Sequence, residues 1–305
     1  MTKVVALAGG TGSAKILRGL AALDVDLTVL GNVGDDYRFY GLPVCPDLDI
    51  AMYTLAGVAD NARGWGIGGD SFAALKQLSG LGLETWFRLG DMDMAVQVFR
   101  RSLIDSGMTL TEATDSLRRA LGVSASILPV TDDPLETHII TPRGSLHLQE
   151  FWVRERGRPH VVGVEYRGSR SASLTREAKG AIRAADRVVV CPANPVTSIR
   201  PMLAVRGTLG ALAKSQARIS ALSPMIGQAP VSGPAAKLMK ACGVRVDSVG
   251  VAKLYSAFLD SIIIDGSDKE MKEEIESIGV ECRLSSTFIR GSADEVRLAR
   301  ELLSA

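Results

Sequence analysis

The chain has 305 residues, 46% of them hydrophobic, and is close to neutral, with 35 Lys plus Arg against 34 Asp plus Glu. That length and apolar content suit one large domain or two intimate ones and exclude disorder as the main state, while the charge balance excludes a general binder of nucleic acid or acidic membranes. With 31 glycines and only 5% aromatics, a loop-rich α/β enzyme fits better than a β-sandwich.

Lys3 to Ala8 is apolar throughout after its first residue, the pattern of a parallel strand buried on both faces. Gly9-Gly10-Thr11-Gly12 follows at once. Ala14 to Leu23 then predicts a helix with Ile16, Leu17, Leu20 and Leu23 on one face. A second strand is expected over Asp26 to Leu30, ending in Gly31-Asn32-Val33-Gly34-Asp35-Asp36. Strand, glycine turn, helix and strand in that order open a doubly wound sheet. From Asp49 to Leu121 the period is mostly helical, with breaks at Gly64-Trp65-Gly66 and at Gly80 to Gly82. Ser124 to Gly168 predicts short strands with a hairpin turn at Thr141-Pro142-Arg143-Gly144. The α/β alternation resumes after Leu174. A helix near Arg176 to Ala185 precedes a strand at Arg187 to Cys191, and a helix at Leu203 to Lys214 precedes a strand at Arg218 to Leu222. Helices over Pro234 to Ala241 and Val251 to Phe258 lead to a strand at Ser261 to Ile264. A charged helix, a strand near Val280 to Arg283 and a helix from about Ala293 close the chain. The expected fold is α/β: a Rossmann-like, mostly parallel, doubly wound sheet. Its core is residues 1–48 and 170–305, and 49–169 forms an inserted smaller lobe of helices and short strands.

Cys45, Cys191, Cys242 and Cys282 lack zinc-ligand spacing and are too sparse for a disulfide framework. His138, His147 and His160 carry no catalytic or metal motif. Chemistry is therefore expected from carboxylates, backbone amides and a hard metal. The first apolar run is too short and too glycine-broken for a signal peptide or a membrane span, so a cytoplasmic protein is expected.

In an open parallel sheet the strand ends face one crevice, where ligands bind. Four loops at such ends stand out: Gly9 to Lys15, Asn32 to Asp36, Pro192 to Ser198, and Ser223 to Pro234. GGTGSAK has neither the P-loop nor the GxGxxG spacing. It is a phosphate cradle or a plain tight turn, and Lys15 is a phosphate contact or solvated surface. The missing GxGxxG turn also argues against an NAD-dependent dehydrogenase. Asp47 and Asp49, at i and i+2 before an apolar helix, are helix caps or a pair for a hard metal or a hydroxyl. Asp91 is a similar candidate cap, with Arg88 just before it. The proline-fixed loop with Asn194 and Ser198 suits a base edge or makes a simple Asx turn. The loop holding Ser223, Gly227 and Ser232 is long enough to be functional, and Pro234 favours a helix start.

GGTGSAK, CPDLD, WFRLGDMDMA, ILPVTDDPLETHI, CPANPVTSI and LSPMIGQAPVSGPAAKLM, in this order, closely resemble the 2-phospho-L-lactate transferase family (CofD-like), which makes the phosphodiester of the deazaflavin coenzyme F-420. The likeness runs from Val4 to about Ile264. PDLD and SPMIGQAPVSGPAAKLM are specific, whereas GGTG is shared widely. The resemblance implies transfer of a phospho-acid, such as 2-phospho-L-lactate, from a guanosine diphosphate-activated donor to the ribityl hydroxyl of the deazaflavin Fo. GMP leaves and Mg2+ assists. It implies Fo contacts at Asp49 and at Arg88, a position that is Lys in some relatives. It also implies a homodimer and a functional link to the guanylyltransferase that makes the donor. With the loop reading, Asp47 and Asp49 become the candidate catalytic and metal-binding carboxylates. Gly9, Gly10, Thr11, Gly12, Lys15, Asn194, Ser198, Ser223, Gly227 and Ser232 become candidates for phosphate and nucleotide. Attack on a diphosphate needs charge neutralisation and positioning more than a covalent nucleophile. The alternative from another class is a nucleotide-sugar-binding regulatory protein of the related gluconeogenesis-factor type, which favours a DDGGS-type run where this chain has Gly34-Asp35-Asp36-Tyr37.

Overall fold

A computed structural model describes residues 1–231 and 233–305. Seven strands form the central sheet: β1 (Thr2–Ala8), β2 (Val25–Gly31), β3 (Ser126–Pro129), β4 (Arg187–Val190), β5 (Arg218–Leu222), β6 (Ser261–Asp265) and β7 (Glu281–Ser285). Their spatial order is β7-β6-β5-β4-β1-β2-β3, and every neighbouring pair is parallel. The chain winds outward from β1 to β3, then crosses back to β4 on the other side of β1. The strand order thus reverses between β1 and β4, and the crevice of a doubly wound sheet opens there. Val4 to Ala8 are all buried, as expected for a strand covered on both faces.

Helix α1 (Gly10–Ala21) begins four residues before the expected start at Ala14, because the glycine turn is itself the first helical turn. The C-terminal helix Ser292–Ser304 packs on α1 where Gly19 leaves room: a Cβ there would lie 2.1 Å from the Glu295 carbonyl oxygen. Arg18 pairs with Glu295 at 2.6 Å across the same contact.

The segment 49–169 does not stand wholly apart from the core. β3 lies inside it and pairs with β2 as the sheet edge, so the expected boundary cuts through the sheet. A four-residue edge strand ending in Pro carries too little pattern to announce a parallel partner. The rest of the segment holds α2 (Pro46–Leu55), α3 (Ala73–Gly80), α4 (Asp91–Asp105) and α5 (Leu110–Ala120). It also holds an antiparallel sheet in which Glu136–Thr141 lies between Gly144–His147 and Gly163–Arg167. Two features were not foreseen. Tyr37–Phe39 and Leu42–Val44 form a hairpin whose turn residues Tyr40 and Gly41 have φ of 54° and 82°, the pattern of a type I′ turn. The helix expected over Leu203 to Lys214 breaks into Arg200–Ala204 and Thr208–Ala213 around Gly207, whose φ is 98°. Among the described residues, no helix is long and apolar enough to cross a membrane.

Candidate active site

The glycines of the first loop answer first to packing. A Cβ on Gly12 would stand 2.3 Å from the Pro192 carbonyl oxygen, and one on Gly9 would stand 2.6 Å from Ser198 Cβ. The loops after β1 and β4 therefore touch backbone to backbone at the switch point. Ser13 clasps the turn from inside: its Oγ accepts from the Gly9 N–H at 3.0 Å and donates to the Gly9 carbonyl at 2.9 Å. Asn194 caps the helical turn Pro195–Ile199 by accepting from the Val196 and Thr197 N–H groups at 2.9 and 3.3 Å. Its side-chain amine has no acceptor among the described residues, so the Asx turn and a ligand contact are compatible.

Above this floor lies a cavity of about 740 Å³. The structure brings Gly9, Gly10, Thr11, Gly12, Lys15, Asn194, Ser198 and Ser223 together on its wall. Lys15 donates to the Ile289 carbonyl at 2.9 Å and has no carboxylate partner among the described residues. Gly227 is engaged elsewhere: its N–H lies 2.9 Å from both carboxylate oxygens of Asp268. Ser232 lies outside the described residues.

The two carboxylates of PDLD part company. Both lie inside α2, whose N-cap is Cys45, so neither is the cap. Asp47 faces the glycine turn. One oxygen accepts from the Gly10 N–H at 2.6 Å and the other from the Asn32 amide at 2.8 Å. Burial pushes its pKa up to about 6, against the pull of the Asn32 and Gly10 hydrogen bonds. Asp35 lines the cavity and is 8% exposed, yet its Oδ1 has no hydrogen-bond partner. Burial raises its pKa well above the usual range, and the charge of Asp47 adds to that. Asp36, also raised by burial, keeps an unpartnered Oδ1 beside them.

Asp49 points the other way, into a buried network with α4. Both its oxygens meet the Arg100 guanidinium, and Gln97 donates to it at 2.9 Å. Gln97 also donates to Asp93 at 3.0 Å, and the Tyr53 hydroxyl donates to the same oxygen at 2.7 Å. Arg100 is fully buried; burial alone would lower its pKa, but Asp49 holds it above the ordinary value. Burial, then the Asp49 charge, push Asp93 up to about 6. Asp49 therefore lies inside the lobe, where Arg100 matches its charge. Arg88 is exposed and lies 4.5 Å over the Phe72 ring, so it and Asp49 do not meet.

Asp91 caps not its own helix but its neighbour. It accepts from the Ala73 and Ala74 N–H groups, each at 2.9 Å, at the start of α3. Asp70 in turn accepts from Met92 and Asp93 at 2.8 and 3.0 Å, capping α4. Sequence reasoning missed Ser13, Asn32, Asp35 and Arg100 as individuals. Asn32 and Asp35 sit in a loop already singled out, and a run of polar residues directly after a buried strand was the available signal. Nothing in the sequence marks an Arg on a helix as fully buried. Among the described residues, no cluster of three or more His, Cys, Asp or Glu could hold a metal by itself.

Fold and site together define an α/β protein with a polar ligand cavity at the switch point of a doubly wound sheet, floored by amides and edged by buried carboxylates. Residues 4–288 match the family model described as 2-phospho-L-lactate transferase CofD, and the chain belongs to that family. It is 37% identical over 304 residues to the 2-phospho-L-lactate transferase of Methanosarcina mazei, covering 99% of this chain and 100% of that one. The protein of that name from Methanopyrus kandleri is 39% identical, with 99% and 96% covered. The phosphoenolpyruvate transferase of Streptomyces griseus is 38% identical, with 98% of each covered. A solved structure of a UPF0052 family member from Bacillus halodurans shares the fold, with a TM-score of 0.66 at 17% identity over 99% of this chain and 98% of that one. The chain is thus a transferase, an enzyme rather than a regulatory binding protein.

Proposed function

We propose that this enzyme moves a phospho-acid from a guanosine diphosphate-activated donor to the ribityl hydroxyl of Fo in coenzyme F-420 biosynthesis. The hydroxyl oxygen bonds to the phosphorus that carries the acid, the bridging P–O bond breaks, and GMP leaves. The observation that carries this reading is Asp47, buried against the glycine turn with its oxygens on the Gly10 N–H and the Asn32 amide, where burial pushes its pKa up to about 6. A base of that strength suits proton removal near neutral pH. The amides at the start of α1 and the charge of Lys15 suit the diphosphate. The Asn194 amine suits a base edge.

A hard divalent cation such as Mg2+ fits the same corner, because Asp35 keeps an oxygen without a partner and its charge couples to that of Asp47. Such an ion keeps few protein ligands and several waters or phosphate oxygens, and when bound it offsets diphosphate charge. Asp49, taken up by Arg100, supports this corner by fixing the first turn of α2. Arg88, a planar cation exposed beside Phe72, is the Fo contact in this reading. A homodimer and a guanylyltransferase supplying the donor complete it. The family model and most of the relatives carry the name of phospholactate, which supports it as the donor acid, and two Streptomyces relatives carry that of phosphoenolpyruvate.

The test is to supply Fo with each guanosine-activated acid and Mg2+ and to weigh the product by mass spectrometry. Formation of the phosphodiester with release of GMP is expected, and excess chelator should abolish it. No transfer with any acid would refute the reading.

A further inference from the structure

Lys237 lies on the helix Ala235–Ala241, just after the loop that begins at Ser223. Its ammonium is 2.8 Å from the Gly157 carbonyl oxygen, 3.2 Å from that of Arg158 and 2.5 Å from that of Pro159. It also lies 5.5 Å from the centroid of the Phe151 ring. An ammonium has three hydrogens and no acceptor, and three carbonyls of a single turn converge to take them. The attraction of the cation to the Phe151 face adds to this.

The contact joins two walls of the cavity. Gly233, Pro234 and Ala235 line it on the helix side, and Trp152 lines it on the lobe side. The turn packs directly on the Trp152 indole. Arg156 and Gly157 have φ of 54° and 64°, and a Cβ on Gly157 would stand 2.9 Å from the indole Cζ3. Whatever holds the Gly157 carbonyl therefore holds the ring that faces the cavity.

We propose that Lys237 is a positioning residue: it latches the 157–159 turn to the helix behind the Ser223–Pro234 loop and so sets the width of the cavity for the activated donor. The proposal rests on the donor reading above for the ligand that reports it. Lys suits the role better than Arg, because the acceptors converge on one nitrogen, whereas a guanidinium spreads its donors in a plane.

Lys237→Met keeps the apolar stem and removes the ammonium; Lys237→Arg keeps the charge without the convergence. In Lys237→Met, backbone amides of residues 153–161 should exchange with solvent about tenfold faster while those of β1 and β4 are unchanged. KM for the donor should rise about tenfold with kcat within about twofold, the signature of lost binding rather than lost chemistry. Lys237→Arg should fall between the variant and the parent on both readouts. Unchanged exchange refutes the latch, and faster exchange with unchanged KM refutes its role in the cavity. If the parent enzyme shows no transfer from a guanosine-activated donor, the donor reading and the cavity role fall together, while the exchange pattern still decides whether the latch exists.

Discussion

Asp47→Asn separates the chemistry of the site from its stability through the dependence on pH. The Asp47 carboxyl has a pKa of about 6 in the folded chain against 3.8 for the free side chain, a gap of about two units. At about 1.4 kcal/mol per unit, holding it ionised in the fold costs about 3 kcal/mol. The folded state takes up the proton more readily than the unfolded one. The stability this gives is therefore full below pH 4 and is lost as pH rises through about 6. Asn pays no such cost, but its amine must face a donor. The Asn32 amine cannot simply turn away, because Asn32 Oδ1 accepts from the Gly34 N–H at 2.9 Å. That mismatch costs about 1–3 kcal/mol at any pH. The variant should thus be less stable than the parent at pH 4.5 and should recover by about 2 kcal/mol at pH 8. Relief of the Asp35 charge pushes in the same direction. Urea unfolding at the two pH values reads the difference, and the transfer rate at neutral pH should fall about 100-fold or more. A stability difference that does not move with pH, or a variant of full activity, refutes the reasoning.

Arg100→Met leaves Asp49 buried without its cation and should cost about 3–5 kcal/mol in urea unfolding; a loss under about 1 kcal/mol would show that the network is solvated. Gly12→Ala drives a Cβ to 2.3 Å from the Pro192 carbonyl and must part the two floor loops, so GMP affinity by calorimetry should fall about tenfold or more. Arg88→Ala should weaken Fo binding by about tenfold in a deazaflavin fluorescence titration, with Arg88→Lys retaining most of it; unchanged affinity removes Arg88 from the acceptor site.

The sheet was legible because its strands are continuous apolar runs bounded by glycine or by charge, and β1, β4, β5 and β6 fall close to where the pattern puts them. β3 was not, since its four residues look like any short strand and its partner lies 98 residues upstream, Thr28 against Ser126 being the first pair.

 What decides β3 is its pairing with β2, a long-range event that no local window contains. The floor of the site was legible in the same way, because glycines and prolines mark close approach and fixed turns. The carboxylates were not. Asp47 and Asp49 are two residues apart on one helix and read alike, yet they project to opposite sides, and only the positions of Asn32 and Arg100 tell them apart. The swapped caps of α3 and α4 escape sequence reasoning for a related reason: each Asp serves amides about 20 residues away instead of its own helix.

The contact of Gly12 with Pro192 has a consequence for how the protein comes to function while it is being made. The two halves of the cavity floor are 180 residues apart in the chain, and the floor is complete only when both are in place. A nascent chain that has completed β1, β2 and β3 has the first glycine turn but nothing beneath it. The floor closes only when β4 docks beside β1 and brings residues 192–198 with it. Contacts between such distant segments are slow to form, because the loop between them must be ordered first. Binding competence therefore arrives late and all at once, as a property of the finished sheet, and a nucleotide that fits the cavity would favour the finished chain over every shorter one.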